Sequence, residues 1–122
     1  MRGGLKMACS ASDALTLQYY EEPDAVKAGF GHKLTQAQWA DISGVKDWYQ
    51  EALFNTPGVA ENVAHPMLRE LLAELRTPGR KFAFLCGHDS NLASIGAALD
   101  MKMPETVDAV EVHTPIGSKL VF

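Results

Sequence analysis

Apolar residues recur at helical spacing through the first two-thirds of the chain. From near Lys6 to Tyr20, the positions Ala11, Ala14, Leu15 and Gln18 share one face of a predicted helix. Glu21-Glu22-Pro23-Asp24 breaks it, because proline pushes its predecessor out of the helical region. Residues 25–34 read as a loop in which Gly29 and Gly31 flank Phe30, either a pocket border or a plain surface turn. Thr35-Gln36-Ala37-Gln38 has the form of a capping box: a threonine N-cap with a glutamine three residues on that reaches back to the backbone. The helix it opens places Trp39, Ile42, Tyr49 and Leu53 on one face, and Gly44 weakens it by about 1 kcal/mol without ending it. Asn55-Thr56-Pro57 stops that helix and starts another, with Thr56 as N-cap and Pro57 at the first helical position. Val59, Val63, Met67, Leu71 and Leu75 repeat along it. Pro66 predicts a kink or short break near Asn62, where a backbone bond is lost, and Thr77-Pro78-Gly79 ends the run.

The pattern then changes. Lys81-Phe82-Ala83-Phe84-Leu85-Cys86 carries no charge after Lys81, and a continuous apolar run of this length predicts a strand buried on both faces. From Leu92, Ile95 and Gly96 to Leu99 the spacing is helical again, so Gly87-His88-Asp89-Ser90 falls between a predicted strand and a predicted helix. Residues 101–112 lack a period and read as a connection. Thr114-Pro115-Ile116-Gly117 reads as a turn, and residues 118–122 as a second strand. The predicted class is α/β: a mostly helical portion over 1–79, then 80–122 as strand, turn, helix and second strand, the latter part of an α/β core. A two-stranded ribbon is marginal alone. A strand apolar on both faces needs neighbours the sequence does not supply, so the chain is expected to be a piece of a larger protein.

Composition narrows the partners. With 122 residues the chain can bury roughly two-thirds of its surface. Acids and bases are intermingled at a net charge of −4, which argues against nucleic acid or an acidic membrane, both of which select for clustered Lys and Arg. No apolar stretch approaches the ~20 residues of a membrane span, and the basic opening lacks the apolar segment of a signal peptide. The two cysteines, Cys9 and Cys86, give no reason to expect a disulfide; Cys86 is predicted to face the core. His32, His65, His88 and His113 are scattered, so no metal or other cofactor is predicted.

The candidate chemistry lies in Gly87-His88-Asp89-Ser90-Asn91. Ligands collect outside the carboxyl ends of strands in open α/β sheets, and a helix N-terminus favours an anion. Asp89 reads as a general acid or as a helix N-cap; His88 as a phosphate ligand or as a partly buried histidine bonded to a carbonyl. The acid role requires a protonated carboxyl. A helix N-terminus favours the carboxylate by only about 0.3–1 kcal/mol. A phosphate charge about 4 Å away disfavours it by ~4 kcal/mol at an effective dielectric of about 20. The phosphate wins, so bound substrate would protonate its own acid. Ser90 lacks the Gly-x-Ser-x-Gly elbow of a serine nucleophile.

Gly87-His88-Asp89-Ser90-Asn91 resembles the second signature of the histidine acid phosphatases. Leu17-Gln18-Tyr19-Tyr20-Glu21, Thr56-Pro57-Gly58-Val59-Ala60 and Thr114-Pro115-Ile116-Gly117-Ser118-Lys119-Leu120-Val121-Phe122 are similar, in order and spacing, to the bacterial periplasmic members that act on glucose 1-phosphate. The related phytases carry threonine where this chain has Ser90. The resemblance implies a phosphoglycerate-mutase-like α/β fold, here incomplete, and a periplasmic, metal-free hydrolysis of phosphomonoesters through a phosphohistidine. It assigns Asp89 as the acid that protonates the leaving oxygen and His88 as a phosphate ligand, with Ser90 lining the pocket. The loop from Tyr19 to Gly31 would border the substrate mouth, with Glu21 a candidate there. The family's Arg-His-Gly nucleophile motif is absent from these residues, and His113 stands where relatives usually have arginine. The implied partners are a sugar phosphate and either the missing portion of the enzyme or a second copy. A phytase-like phosphatase, or a non-catalytic phosphate-binding or structural piece, is the alternative.

Overall fold

A computed structural model describes residues 3–106 and 109–122. Four predicted helices are present: α1 (Gly4–Glu21), α3 (Gln36–Gln50), α4 (Pro57–Arg76) and α5 (Asp89–Ala98), with a π-helical turn (Glu51–Asn55) leading from α3 toward α4; a short helix, α2 (Ala25–Ala28), stands where the sequence reads as a loop. The predicted strands are not. Among the described residues the chain is all helix, turn and irregular connection, which corrects the expected α/β class. Residues 80–88 form no regular structure, and Phe82 and Phe84 are 79% and 77% exposed. Cys86, predicted to face the core, is exposed as well. A strand takes its hydrogen bonds from a neighbour, and no described segment offers one, so apolar composition alone does not produce the element. The same holds for residues 118–122, where Val121 and Phe122 are exposed.

The chain divides into two compact units: residues 1–49 with 104–116, and residues 50–103 with 117–122. In the first, Ala28, Trp39 and Val110 form the buried core, and Leu15, Tyr19, Leu34 and Ile42 pack against it. The Tyr19 and Trp39 rings lie 4.9 Å apart, and Ser12 Oγ donates to the Ile42 carbonyl at 2.6 Å, fixing α1 to α3. The Thr35 capping box forms as expected, with Thr35 N–H donating to Gln38 Oε1 at 2.9 Å and Gln38 N–H to Thr35 Oγ1 at 3.3 Å. Asp24 caps α2, accepting from the Val26 and Lys27 amides.

In the second unit α4 packs against α5, and the π-helical turn packs against both. The seam is made of small residues: Ala60 and Ala64 on α4, with Ala93, Ser94, Ile95 and Gly96 on α5. Met103 lies so close to Gly96 that a Cβ there would stand 2.9 Å from its Sδ. Pro66 does not break α4, which runs unbroken from Pro57 to Arg76. Both Pro66 and Asn62 sit on the solvent face, so water can serve the carbonyl left without a donor. Thr56 precedes Pro57 as expected, but its hydroxyl donates back to the Ala52 carbonyl at 3.2 Å and does not cap α4.

Candidate functional site

The sequence candidates His88, Asp89 and Ser90 are brought together at the start of α5 in the second unit. No strand leads into them; the helix half of the expected geometry is present without the strand half. His88 is the N-cap residue and is exposed, which removes the reading of it as a partly buried histidine. Asp89 is the first helical residue rather than the cap. Its Oδ1 accepts the Ser90 amide at 2.7 Å, and both side chains are half-buried.

Asn91 supplies a capping contact, where the sequence reading had offered Asp89 as the cap. Its Oδ1 accepts the His88 amide at 2.8 Å, while the Asn91 amide donates to the His88 carbonyl at 2.9 Å. The reason for Gly87 follows. A Cβ there would stand 2.9 Å from Asn91 Oδ1, so the close approach this glycine permits is that of Asn91. The cue was visible in the sequence: asparagine at the third helical position can fold back as Glu or Gln does in a capping box.

The local electrostatics are set by the first turn. The N-terminal end of α5 carries positive partial charge, and the Asp89 carboxylate already lies against one of its amides. Glu21, the last residue of α1, and the Tyr19–Gly31 region belong to the first unit. Phe30 there is exposed and takes a positive φ of 52°. Among the described residues no three His, Cys, Asp or Glu side chains are grouped as a metal site, and no helix is long and apolar enough to cross a membrane.

The sequence reading missed a buried ion pair in the first unit. Lys46 on α3 donates to Glu111, and only 10% and 4% of their side chains are exposed. Glu111 Oε2 also accepts the Ile116 amide at 3.2 Å. Partial burial, and then the Glu111 charge, raise the Tyr20 phenol above its ordinary value.

Against this geometry the comparisons with known proteins can be set. The chain is 44% identical over 124 residues to a glucose-1-phosphatase of Providencia rettgeri, an alignment covering 98% of this chain. It is 42% identical over 125 residues to the glucose-1-phosphatase of Salmonella typhimurium and 28% identical over 133 residues to the phytase AppA of Escherichia coli. In each case it spans 30% of the relative's length. No family model matches the sequence, and no solved structure matches it. The resemblance to histidine acid phosphatases thus runs along the whole of this chain, and it is greater to the two glucose-1-phosphatases than to the phytase.

Proposed function

We propose that this chain supplies the proton-donating part of a histidine acid phosphatase acting on small sugar phosphates. The observation that carries the reading is the placement of His88 and Asp89 side by side at the N-terminus of α5, in a sequence 44% identical to a glucose-1-phosphatase. In the proposed reaction a histidine from outside these residues attacks phosphorus. The P–N bond forms as the P–O bond to the alcohol breaks, and Asp89 delivers its proton to the departing oxygen. Water then cleaves the phosphohistidine, Asp89 taking a proton back. His88 and the first turn of α5 hold the phosphate, and Ser90 borders it. No metal is needed, because the charge on phosphorus oxygen is met by cationic and N–H groups. The natural partner is the remainder of such an enzyme, and the proposed compartment is the periplasm.

A second reading, a phosphate-binding piece without catalysis, is favoured by the absence of Arg-His-Gly from the sequence. One pair of measurements on the 122-residue chain tests the two residue assignments. Calorimetry with inorganic phosphate should give binding that His88→Ala removes. Turnover of glucose 1-phosphate at mildly acidic pH should lie near background without the nucleophile. Robust turnover that Asp89→Asn leaves untouched would refute the acid assignment, and binding that survives His88→Ala would move the anion site elsewhere.

A further inference from the structure

The first unit contains a connection whose attachment is out of keeping with its composition. Residues 109–116 have no regular secondary structure, yet Val110 and Glu111 are almost fully buried and Thr114 is buried beside them in sequence. Two anchors hold this strap. Val110 sits in the apolar core with Ala28 and Trp39. Glu111 is clasped by Lys46, accepts the Ile116 amide from its own strap, and lies near enough to Tyr20 of α1 for its charge to raise that phenol. Elements α1 and α3 thus both meet the strap at Glu111. Ahead of the strap, the Thr106 amide donates to the Val112 carbonyl at 2.8 Å.

We propose that the Lys46–Glu111 ion pair is a releasable latch that docks the 109–116 strap onto helices α1 and α3. Two features make the docking releasable. First, an ion pair taken out of water gains little net free energy over its solvated partners, so it stabilises less than an apolar contact of the same size. Second, the buried hydroxyl of Thr114, on the strap itself, has no hydrogen-bond partner among the described residues, and it regains water when the strap lifts. The pair therefore acts in one direction: intact, it locks the strap; with one partner removed, the remaining buried charge drives the strap out.

Hydrogen exchange on the whole chain reads the latch directly. In Lys46→Met the Thr106 and Ile116 amides should exchange about a hundredfold faster or more, while amides in the middle of α1 keep their rates. Glu111→Gln, which retains size and an acceptor oxygen, is the second variant and should give a smaller acceleration at the same two amides. In that variant the Tyr20 phenol, followed by its ultraviolet absorbance, should titrate at lower pH than in the parent. It should stay above a free tyrosine, because burial is the larger cause of its shift. Unchanged exchange at Thr106 and Ile116 in Lys46→Met would overturn the proposal. Equal acceleration throughout α1 would overturn it too, since the pair would then hold the unit as a whole.

Discussion

Substituting Gly87 tests whether the turn at the head of α5 is built as described. A methyl group on Gly87 would stand 2.9 Å from Asn91 Oδ1, 3.4 Å from its Cγ and 3.5 Å from its Cβ. The obstruction runs along the whole side chain, so turning the amide is not enough and Asn91 must leave its place. The His88 amide then loses the acceptor it holds at 2.8 Å. Losing a helix-capping contact costs about 0.5–2 kcal/mol. Against this, Gly87 does not occupy a positive φ, so alanine fits the backbone. Its restriction of the unfolded chain returns about 0.4–1 kcal/mol. Gly87→Ala should therefore range from stabilising by about 0.5 kcal/mol to destabilising by about 1.6 kcal/mol, the difference of those two effects. In an Asn91→Ala background the obstruction and the cap are both already gone. There Gly87→Ala should stabilise, by about 0.4–1 kcal/mol. The double-mutant cycle thus predicts a coupling of about 1 kcal/mol between positions 87 and 91. Urea unfolding followed by helical circular dichroism gives the four stabilities, and exchange at the Leu92 amide, which donates to the His88 carbonyl, localises the effect. Additivity within about 0.3 kcal/mol would show that the two residues do not share a contact and would refute the reasoning.

Two further outcomes follow from backbone geometry and charge. Asp100 ends α5 at a φ of 51°, with its amide donating to the Ala97 carbonyl and the Met101 amide to that of Gly96. This double return is the Schellman arrangement that glycine favours, so Asp100→Gly should raise stability by about 0.5–1 kcal/mol in urea unfolding, and a loss of stability would refute the strain. The raised phenol of Tyr20 means that the folded first unit holds that proton more tightly than the unfolded chain. Its contribution is fully present below the ordinary value of 10.0 and is lost as pH rises through the folded value. Unfolding midpoints should fall above pH 10, less steeply in Tyr20→Phe, and equal slopes in the two proteins would exclude Tyr20 as the cause.

The helices were legible because their boundaries rest on local chemistry. Pro23, the Thr35–Gln38 box, Thr56-Pro57 and Thr77-Pro78-Gly79 each act within a few residues, and each marks an observed helix end. Their rotation was less legible. On α1 the buried positions are Ser12 and Thr16, one residue removed from the alanines and leucine that the apolar pattern selects. On α3 they are Trp39, Ser43, Lys46 and Gln50, and on α4 they are Ala60 and Ala64, while Val59 and Val63 are exposed. Where helices approach closely, small or hydrogen-bonding residues occupy the seam and bulky ones are displaced to its flanks. An apolar count then points to the flank.

The strands failed for the opposite reason, since nothing local decides them. Residues 81–86 have the composition of a buried strand, but an extended backbone is stable in a core only when distant segments accept and donate its hydrogen bonds. The described residues supply none, and the segment lies open with its aromatic rings in solvent. This bears on the candidate site unequally. The placement of His88 and Asp89 at a helix N-terminus depends on Gly87, Asn91 and the helix itself, all within five consecutive residues. It therefore survives the loss of the predicted strand. Glu111 shows the converse: it lies in a stretch without periodicity, and its partner Lys46 is 65 residues away, so no reading of spacing could pair them. The placement of His88 and Asp89 at a helix N-terminus can be read from a short local motif. The groups that complete a catalytic centre, like the partners of a strand, come from far along a chain, and only a folded structure or a relative's sequence brings them into view.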